Sequence, residues 1–466
     1  MLNLSGINTG IVSAILGYVF IQFAIGAWFS RRMANERDYI LAGRQLGGIL
    51  VAFSVFATWF GAEAVQVSAG EIYAKGLSGA LLDPLGYGVA VVVVGVLLAA
   101  PLWRSGVTTF ADMIRERYSP SVERVFVLVL MPGSLFWAAA QIRAFGQILS
   151  SSGGVDLTSA ILLAAILVGA YSVVGGLLAD AVTDVIQGVA VIAGLVVLTG
   201  LVLLHFAGVS PGAAAPQIAP DRLDIFKPDE DGPIGLVEKM AVVMCGSIVS
   251  VELISRFLGA SSVRAAAGGT IVGGAMYLAI GLMPVALGLV GPLVMPGLTE
   301  PEQVVPRLAE AFLPGPAYLL FLGALVSAIL SVVHAALHAP AAQLSHNIVV
   351  RLMPALSTEA RLWSVRLTVL VLSIVAWGLA QSVERIKDLV ELASAFGSAG
   401  AIVVALMGIF SSFGGPKSAL AALLSGIGVW MIGKFFLDLT TPYLIALASA
   451  LAVYVTLALL EPEKKG

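Results

Sequence analysis

The residues most able to do chemistry are a glycine and a carboxylate in the middle of an apolar stretch, Leu46 to Gly76. Gly61 lies near the centre of this stretch, and Glu63 follows two residues later. A carboxylate at mid-membrane depth is costly unless it is paired or hydrated, and a glycine lets the backbone leave the helical conformation. A membrane tolerates such a break only inside protein or beside a water-filled cavity. The pair therefore predicts a broken helix that binds a solute or an ion. The alternative is a close helix contact beside a paired glutamate.

A second polar pattern is a stripe of serines and histidines in another apolar stretch. Four of them follow helical spacing and share one face: Ser327, Ser331, His334 and His338. Such a stripe predicts an ion or proton path, and interhelical hydrogen bonding by serine is the alternative. We expect His338, near the cytoplasmic end, to meet water.

Three further charged residues lie in or beside apolar stretches. Asp180 suits an N-terminal helix cap, where acids complement the dipole, whereas Asp184 lies one turn deeper and predicts a functional role. Arg143 has three possible roles. It can reach the membrane interface, pair with a buried acid such as Glu63, or clamp a carboxylate-bearing solute with its planar guanidinium.

The composition sets the class of protein. Of the 466 residues, 59% are hydrophobic and 11% charged, against about 25% charged in soluble domains, and the mean hydropathy is +0.99. We expect an all-α polytopic membrane protein in a lipid bilayer. Neither an HExxH nor a GxSxG motif is present, so we expect no enzyme, no cofactor and no nucleic-acid partner. We interpret Gly414–Ser418 as a turn rather than a phosphate loop.

Thirteen apolar segments predict about 13 transmembrane helices. Numbered in order, they are 8–30, 47–73, 79–102, 125–150, 156–174, 182–207, 234–259, 266–294, 315–338, 360–381, 386–411, 417–436 and 440–460. Segment 7 is the predicted counterpart of broken segment 2, because Gly246, Ser247, Ser250 and Glu252 interrupt its apolar run. Segments 2–6 and 7–11 are then two five-helix repeats of opposite orientation.

The distribution of positive charge predicts the orientation. Lys and Arg are more frequent in the loops that follow odd-numbered segments, among them Arg31, Arg32, Arg37, Arg44, Arg104, Arg115, Arg256, Arg264, Arg351, Lys464 and Lys465. Because cytoplasmic loops carry the excess of positive charge, we expect the N-terminus outside and the C-terminus in the cytoplasm. The membrane we expect is the plasma membrane of the cell.

These features predict a division of the chain into five parts. The parts are an extra N-terminal helix and cytoplasmic loop (1–45), a first five-helix repeat (46–207), an outer loop (208–233), a second repeat (234–412), and two C-terminal helices with a short tail (413–466).

The motifs, in their order and spacing, give the chain a family resemblance. It resembles the sodium:solute symporter family, which includes bacterial proline and sugar symporters. The matching stretches span segments 1–11 and are Asp38–Arg44, Ser54–Glu63, Ala100–Arg104, Thr109–Tyr118, Thr183–Gln187, Arg256–Ala260 and Ser327–Ser331.

The resemblance implies an inverted-repeat transporter that couples inward cation movement to uptake of a small organic solute by alternating access. By motif position, it implies that the backbone carbonyls of Ala57 and Phe60 bind sodium together with Ala328 and Ser331. It implies a second cation region at Asp184.

The resemblance also implies a solute site beside the break. Its residues would be Trp59, Glu63 and Ala64, facing Arg143 of segment 4 and Glu252 of segment 7.

The chain departs from the family pattern at the cation site. Val332 follows Ser331 where the family usually has a hydroxyl, and His334 stands where the family often has further serines. Two coupling ions therefore stay open: sodium, or a proton shared by His334 and Asp184, since histidine titrates near neutral pH. Uncoupled transport and a transporter-like solute sensor are further alternatives, and the lack of a fused cytoplasmic domain argues against the sensor. The sequence gives no oligomeric state.

Overall fold

The chain folds into helices joined by short loops. The computed structural model describes residues 8–31, 35–208, 218–227, 231–383 and 385–461, and these residues form no β-strand. Their one isolated β-bridge joins Leu46 and Ala260. Within these described ranges, 12 helices are long and apolar enough to cross a membrane, and one bent pair makes a thirteenth span. The predicted count is confirmed.

The spans follow the predicted segments closely. In chain order they are α1 (Thr9–Ser30), α2 (Gly48–Trp59 and Glu63–Lys75), α3 (Leu77–Leu97), α4 (Pro120–Gly153), α5 (Leu157–Val174), α6 (Leu177–Gly208), α7 (Gly232–Leu258), α8 (Val263–Val294), α9 (Gly315–Leu352), α10 (Thr358–Ser382), α11 (Ile386–Phe410), α12 (Pro416–Phe435) and α13 (Pro442–Leu460). Short helices occupy several of the loops, including Phe110–Arg117 and Val304–Phe312.

Several spans begin at a capping residue. Ser119, Asp156, Ser262 and Ser357 each accept a hydrogen bond from a backbone N–H in the first turn of α4, α5, α8 and α10. These side chains satisfy N–H groups that a helix start leaves without partners.

Span α9 lies at the centre of the bundle. In its most apolar window, 89% of the residues are buried, against 22% in α1. A residue on almost any face of α9 therefore contacts another helix, and its serines and histidines are interior groups.

The first arm of α2 packs closely on α8 because α8 presents glycines to it. A Cβ atom placed on Gly269 would lie 2.7 Å from Val51 Cβ, and one on Gly273 would lie 2.7 Å from the Ala52 carbonyl oxygen. Small residues let membrane helices approach closely. This contact fixes the position of the first arm on α8. The second arm runs in a different direction because α2 bends between the two arms.

The two arms of α2 meet at an angle of 57°. The Gly61 N–H donates to the Trp59 carbonyl (3.0 Å), and the Ala62 N–H donates to Gln141 Oε1 of α4 (3.0 Å). Neither N–H donates to the carbonyl four residues earlier, so regular helical bonding stops here. The predicted break at Gly61 is confirmed.

Span α7 is also broken. Its first part ends at Ile248, and its second begins at Val251 with the Ser250 hydroxyl accepting from the Leu253 N–H (3.3 Å). The sequence predicted an interruption at this place, and the interruption is confirmed. A third interruption, in α11, was not predicted. It lies at Gly397, whose φ of +76° suits glycine.

Three expectations were wrong in position. Span α9 continues to Leu352, so His338 is buried and its Nε2 lies 3.1 Å from the Tyr39 carbonyl oxygen instead of meeting water. Span α6 starts at Leu177, before the predicted 182, and Asp180 lies in its first turn. Arg256, counted as a cytoplasmic loop charge, is fully buried.

The Gly414–Ser418 stretch forms the turn that was predicted. It leads into α12, and the backbone N–H groups of Gly415 and Lys417 both donate to the Glu461 carboxylate (2.9 Å each). The anion-binding end of this helix therefore holds the chain's own carboxylate. Of the other sequence signals, Arg32, Lys464 and Lys465 lie outside the described residues.

We predict that Gly61→Ala destabilises the protein. A Cβ atom here would lie 2.6 Å from Val332 Cγ2 and 2.7 Å from Gln141 Oε1, so α9 or α4 must shift. Overpacking of this kind costs about 1–3 kcal/mol, and the melting temperature in detergent should fall. The control is Gly268→Ala in α8, where a Cβ atom meets nothing within 4 Å. Equal melting temperatures of Gly61→Ala and wild type would contradict the prediction.

Candidate cation and solute sites

A buried arginine in α7 connects this helix to α6 and to α2. The Nη2 atom of Arg256 in α7 lies 2.5 Å from Oδ2 of Asp180 in α6. Its Nε donates to Thr58 Oγ1 in α2 (2.9 Å), and the Thr58 hydroxyl donates to the Ser54 carbonyl oxygen (2.7 Å). All of these residues are at most 1% exposed. Asp180 is thus an ion-pair partner rather than only a helix cap.

A second carboxylate lies one turn along α6. Asp184 accepts a hydrogen bond from the Ser54 hydroxyl of α2 (2.6 Å) and another from the Ser331 hydroxyl of α9. Asp184 and Ser331 were predicted for separate cation regions, and the structure brings them into direct contact. The contact connects the first arm of α2 to the centre of α9.

The balance of charge in this buried cluster favours a bound cation. Asp180 and Asp184 face one guanidinium, Arg256. With both carboxylates ionised, two negative charges meet one positive charge, and a net negative charge remains in a buried environment. Buried charges require neutralisation by a partner or an ion. Sodium or a proton at Asp184 would supply it.

The break in α2 presents carbonyl oxygens beside this cluster. Because the Gly61 and Ala62 N–H groups donate elsewhere, the carbonyls of Ala57 and Thr58 lose their regular helical donors. Unwound carbonyls of this kind coordinate sodium in transporters. Val332 of α9 packs against Gly61, so the predicted ligands on α2 and on α9 lie on neighbouring elements.

The predicted sodium ligands share one further property, which is burial. Each of them is at most 3% exposed: Ala57, Phe60, Ala328 and Ser331. Among the described residues, no group of three or more His, Cys, Asp or Glu side chains is placed to hold a metal ion. The oxygens available to a cation here are therefore carbonyls, hydroxyls and the Asp184 carboxylate.

His334 does not approach the acid expected for it. Its Nε2 lies 3.8 Å from Asp180 Oδ2, whereas Asp184 contacts Ser331. The reason is that α6 and α9 run antiparallel, so one turn forward along α9 corresponds to one turn back along α6. The predicted pairing of His334 with Asp184 was wrong. The His334 ring also packs edge-on against Tyr171 (5.4 Å between centroids).

A small cavity lies between the breaks of α2 and α7. Its lining includes Trp59 and Glu63 of α2, Trp137 of α4, and Ser247 and Glu252 of α7. The space open to the centres of water molecules is about 60 Å³, and one water needs roughly 10–15 Å³. The cavity thus accommodates a few water molecules or a compact chemical group.

Three of the five predicted solute residues line this cavity. Trp59, Glu63 and Glu252 do so, whereas Ala64 is buried beside the break and is not among the lining residues. Arg143 faces the interior, as predicted, but it lies in a different cavity and donates to the Ala380 carbonyl oxygen (3.0 Å).

The cavity that contains Arg143 is larger and charged. It has a volume of about 830 Å³ and is lined by acids and bases together, including Glu71, Glu302 and Lys387. Lys387 Nζ of α11 lies 3.1 Å from Glu71 Oε1 in the second arm of α2. The structure does not bring Arg143 and Glu63 together.

Sequence reasoning missed several polar and aromatic residues near the break. Gln141 in α4 supplies the acceptor for the Ala62 N–H. Tyr87 in α3 lines the cavity, and its hydroxyl lies 3.0 Å from Ser394 Oγ. Asp83 accepts from the Tyr277 hydroxyl (2.7 Å). Asp83 lies near the start of the predicted segment 3 (79–102), and an acid inside an apolar segment was the available signal.

Comparison with known sequences identifies the family of the chain. A model of the sodium:solute symporter family matches residues 39–426. The chain belongs to the sodium:solute symporter family. It is 24% identical over 406 residues to human high affinity choline transporter 1, covering 83% of this chain and 70% of that protein. It is 27% identical over 433 residues to a sodium/proline symporter of Haemophilus influenzae, covering 88% and 85%.

Solved structures show the fold of this family member. A Na⁺-coupled sialic acid symporter in a substrate-bound outward-open state matches with a TM-score of 0.84 at 18% identity, over 97% of this chain and 98% of that one. A nucleobase-cation-symport-1 transporter matches with a TM-score of 0.59 at 15% identity, over 91% and 94%. The inverted-repeat fold and the expectation of a transporter rather than an enzyme are confirmed.

We predict that the Asp180–Arg256 pair is essential for stability. Removing one partner leaves a buried charge uncompensated, which costs about 3–5 kcal/mol. Arg256→Gln should therefore sharply lower the melting temperature. Asp180→Asn combined with Arg256→Gln should recover part of the loss, because both charges of the pair are then gone. The control is Glu310→Gln, which breaks an exposed pair with Arg307 and should change little. A double variant no more stable than Arg256→Gln would refute the coupling.

Proposed function

We propose that the chain is a secondary active symporter that couples inward sodium movement to the uptake of a small organic solute. The observation that carries the proposal is the contact of Asp184 with Ser54 and Ser331, beside the carbonyls released at the α2 break. Membership of the sodium:solute symporter family supports sodium as the coupling ion.

The proposed sodium site shares a helix with the cavity. Ala57 and Phe60 flank Trp59, which lines the cavity. Sodium bound between these carbonyls and Ser331 would hold the first arm of α2 against α9 and so fix the position of Trp59. A solute that binds the arrangement favoured by sodium is then bound more tightly in its presence, and the converse must hold.

The relatives' names support solute transport without defining the solute. They are named for choline, pantothenate and proline, which differ in charge and size. We further propose that residues 46–207 and 234–412 are the two inverted repeats, that the protein lies in the plasma membrane, and that its N-terminus is outside and its C-terminus in the cytoplasm.

Proton coupling is the second candidate, and one observation favours it. Within the described part of the chain, neither nitrogen of His334 has a hydrogen-bond partner, although Nε2 lies 3.8 Å from Asp180. A protonated His334 would pair with that carboxylate. Arg256 already occupies Asp180 at shorter range, so we favour sodium.

Sodium should stabilise the purified protein more than potassium does at equal ionic strength. A ligand that binds only the folded state raises its stability. Ser331→Ala and Asp184→Asn should each remove most of the sodium-specific rise in melting temperature. The matched control is Ser373→Ala. It removes a buried serine whose one hydroxyl hydrogen bond among the described residues is to the Val369 carbonyl of its own helix, and it should preserve the rise.

Uptake into proteoliposomes separates the two coupling ions. With a panel of candidate solutes, an inward sodium gradient should drive accumulation of one or more of them in wild type and in His334→Ala. Accumulation that needs no sodium, follows a pH gradient and disappears in His334→Ala would overturn sodium coupling.

A further inference from the structure

The cavity between the breaks of α2 and α7 has two carboxylates and no basic lining residue. Glu63 and Glu252 are 5% and 3% exposed, and none of the described residues that line the cavity is Lys, Arg or His. One oxygen of each carboxylate, Glu63 Oε1 and Glu252 Oε1, has no hydrogen-bond partner among the described residues. Two buried acids with unpartnered oxygens require a donor or a positive charge.

The remaining partners of these acids are neutral. Glu252 Oε2 accepts from the Ser250 hydroxyl (2.7 Å), which satisfies one lone pair and supplies no charge. Arg143, the base predicted to face Glu63, lines the other cavity. The charge of Arg256 reaches Glu252, but Arg256 is paired with Asp180 and does not line the cavity. A cationic group that enters the cavity would therefore be the only positive charge among the described groups that line it.

Aromatic rings form the other part of the lining. The rings of Trp59 and Trp137 meet nearly edge to face, with centroids 5.1 Å apart and an interplanar angle of 62°. Tyr87 and Phe396 complete the aromatic lining. The faces of such rings attract ammonium ions, most strongly when water is excluded, and a cage of several rings suits an alkylated ammonium group.

We propose that the transported solute carries an ammonium group, which binds among Trp59, Trp137 and Tyr87 and is paired with Glu63 and Glu252. This inference rests on the proposed function and names the class of solute for the same site. A carboxylate without an ammonium group would meet two acids there and be repelled. The Ser247 hydroxyl also lines the cavity, has no hydrogen-bond partner in the described part of the chain, and is placed to bind an oxygen of the same solute.

The size of the cavity limits the group that it holds. About 60 Å³ open to water centres corresponds to roughly four water molecules, which suits an ammonium head group rather than a large solute. A small solute, or the head of a longer one, is therefore expected.

The test compares probes that differ in charge at constant shape. Choline and 3,3-dimethylbutan-1-ol have the same heavy-atom shape, with nitrogen in one replaced by carbon in the other. Melting temperatures of the full-length protein are measured with choline, tetramethylammonium and ethanolamine, with the neutral alcohol, and with propionate, at constant sodium concentration. At least one ammonium probe should stabilise the protein, and the alcohol and propionate should not.

Variants then assign the effect to the cavity. Glu63→Gln and Glu252→Gln should each weaken binding of the stabilising probe by at least about tenfold, equivalent to about 1.4 kcal/mol. Both variants keep the side-chain shape and remove an unpaired buried charge, so we expect them to fold and to retain sodium stabilisation. Glu310→Gln, an exposed acid far along the chain, is the matched control and should leave probe binding unchanged.

The outcomes distinguish this inference from the proposed function. If sodium stabilises the protein but none of the three ammonium probes does, or if the neutral alcohol stabilises as well as choline, the ammonium class is wrong and sodium coupling stands. If an ammonium probe binds through Glu63 and sodium has no effect, sodium coupling is wrong and the solute class stands.

Discussion

The buried ion pair between Arg256 and Asp180 is the interaction on which the rest of the site depends. It joins α7 to α6, and through Thr58 it also joins the first arm of α2. An ion pair in a membrane interior is stable only if its remaining donors and acceptors are satisfied. The arrangement therefore requires Thr58, which lies in the last turn before the break. The same turn carries Ala57, so the ion pair also positions the carbonyls that the break releases.

Because Arg256 pairs with Asp180, Asp184 is the carboxylate of the cluster that is able to bind a cation. Arg256 compensates one carboxylate, and hydroxyl groups from α2 and α9 surround the second. A neutral hydroxyl stabilises a carboxylate without cancelling its charge, which suits a site that binds and releases a cation. Because the two hydroxyls come from different helices, a cation at Asp184 would change how tightly α2 and α9 are held together. Alternating access requires a link of this kind between ion binding and helix position.

Local patterns in the sequence predicted the spans, the break at Gly61 and the break in α7. These features depend on runs of apolar residues and on the few glycines or serines that interrupt them. The partner of Asp180 was not predictable in this way, since Arg256 is distant in sequence and resembled a loop charge. The His334 partner was wrong by one helical turn, because the register of two antiparallel helices is set by packing across the whole bundle. Arg143 and Glu63, a possible pair in the sequence analysis, likewise line separate cavities.

Amide hydrogen exchange, compared in sodium and in potassium, tests most directly whether sodium links the broken helix to α9. Sodium bound between Ala57, Phe60 and Ser331 should slow exchange in peptides covering 54–64 and 325–335, because both segments become held by one ion. Peptides from α12 and α13 should exchange equally in the two salts. Slower exchange confined to α2 and α9 is the predicted result. Identical exchange of these segments in sodium and potassium would contradict a sodium site at the break.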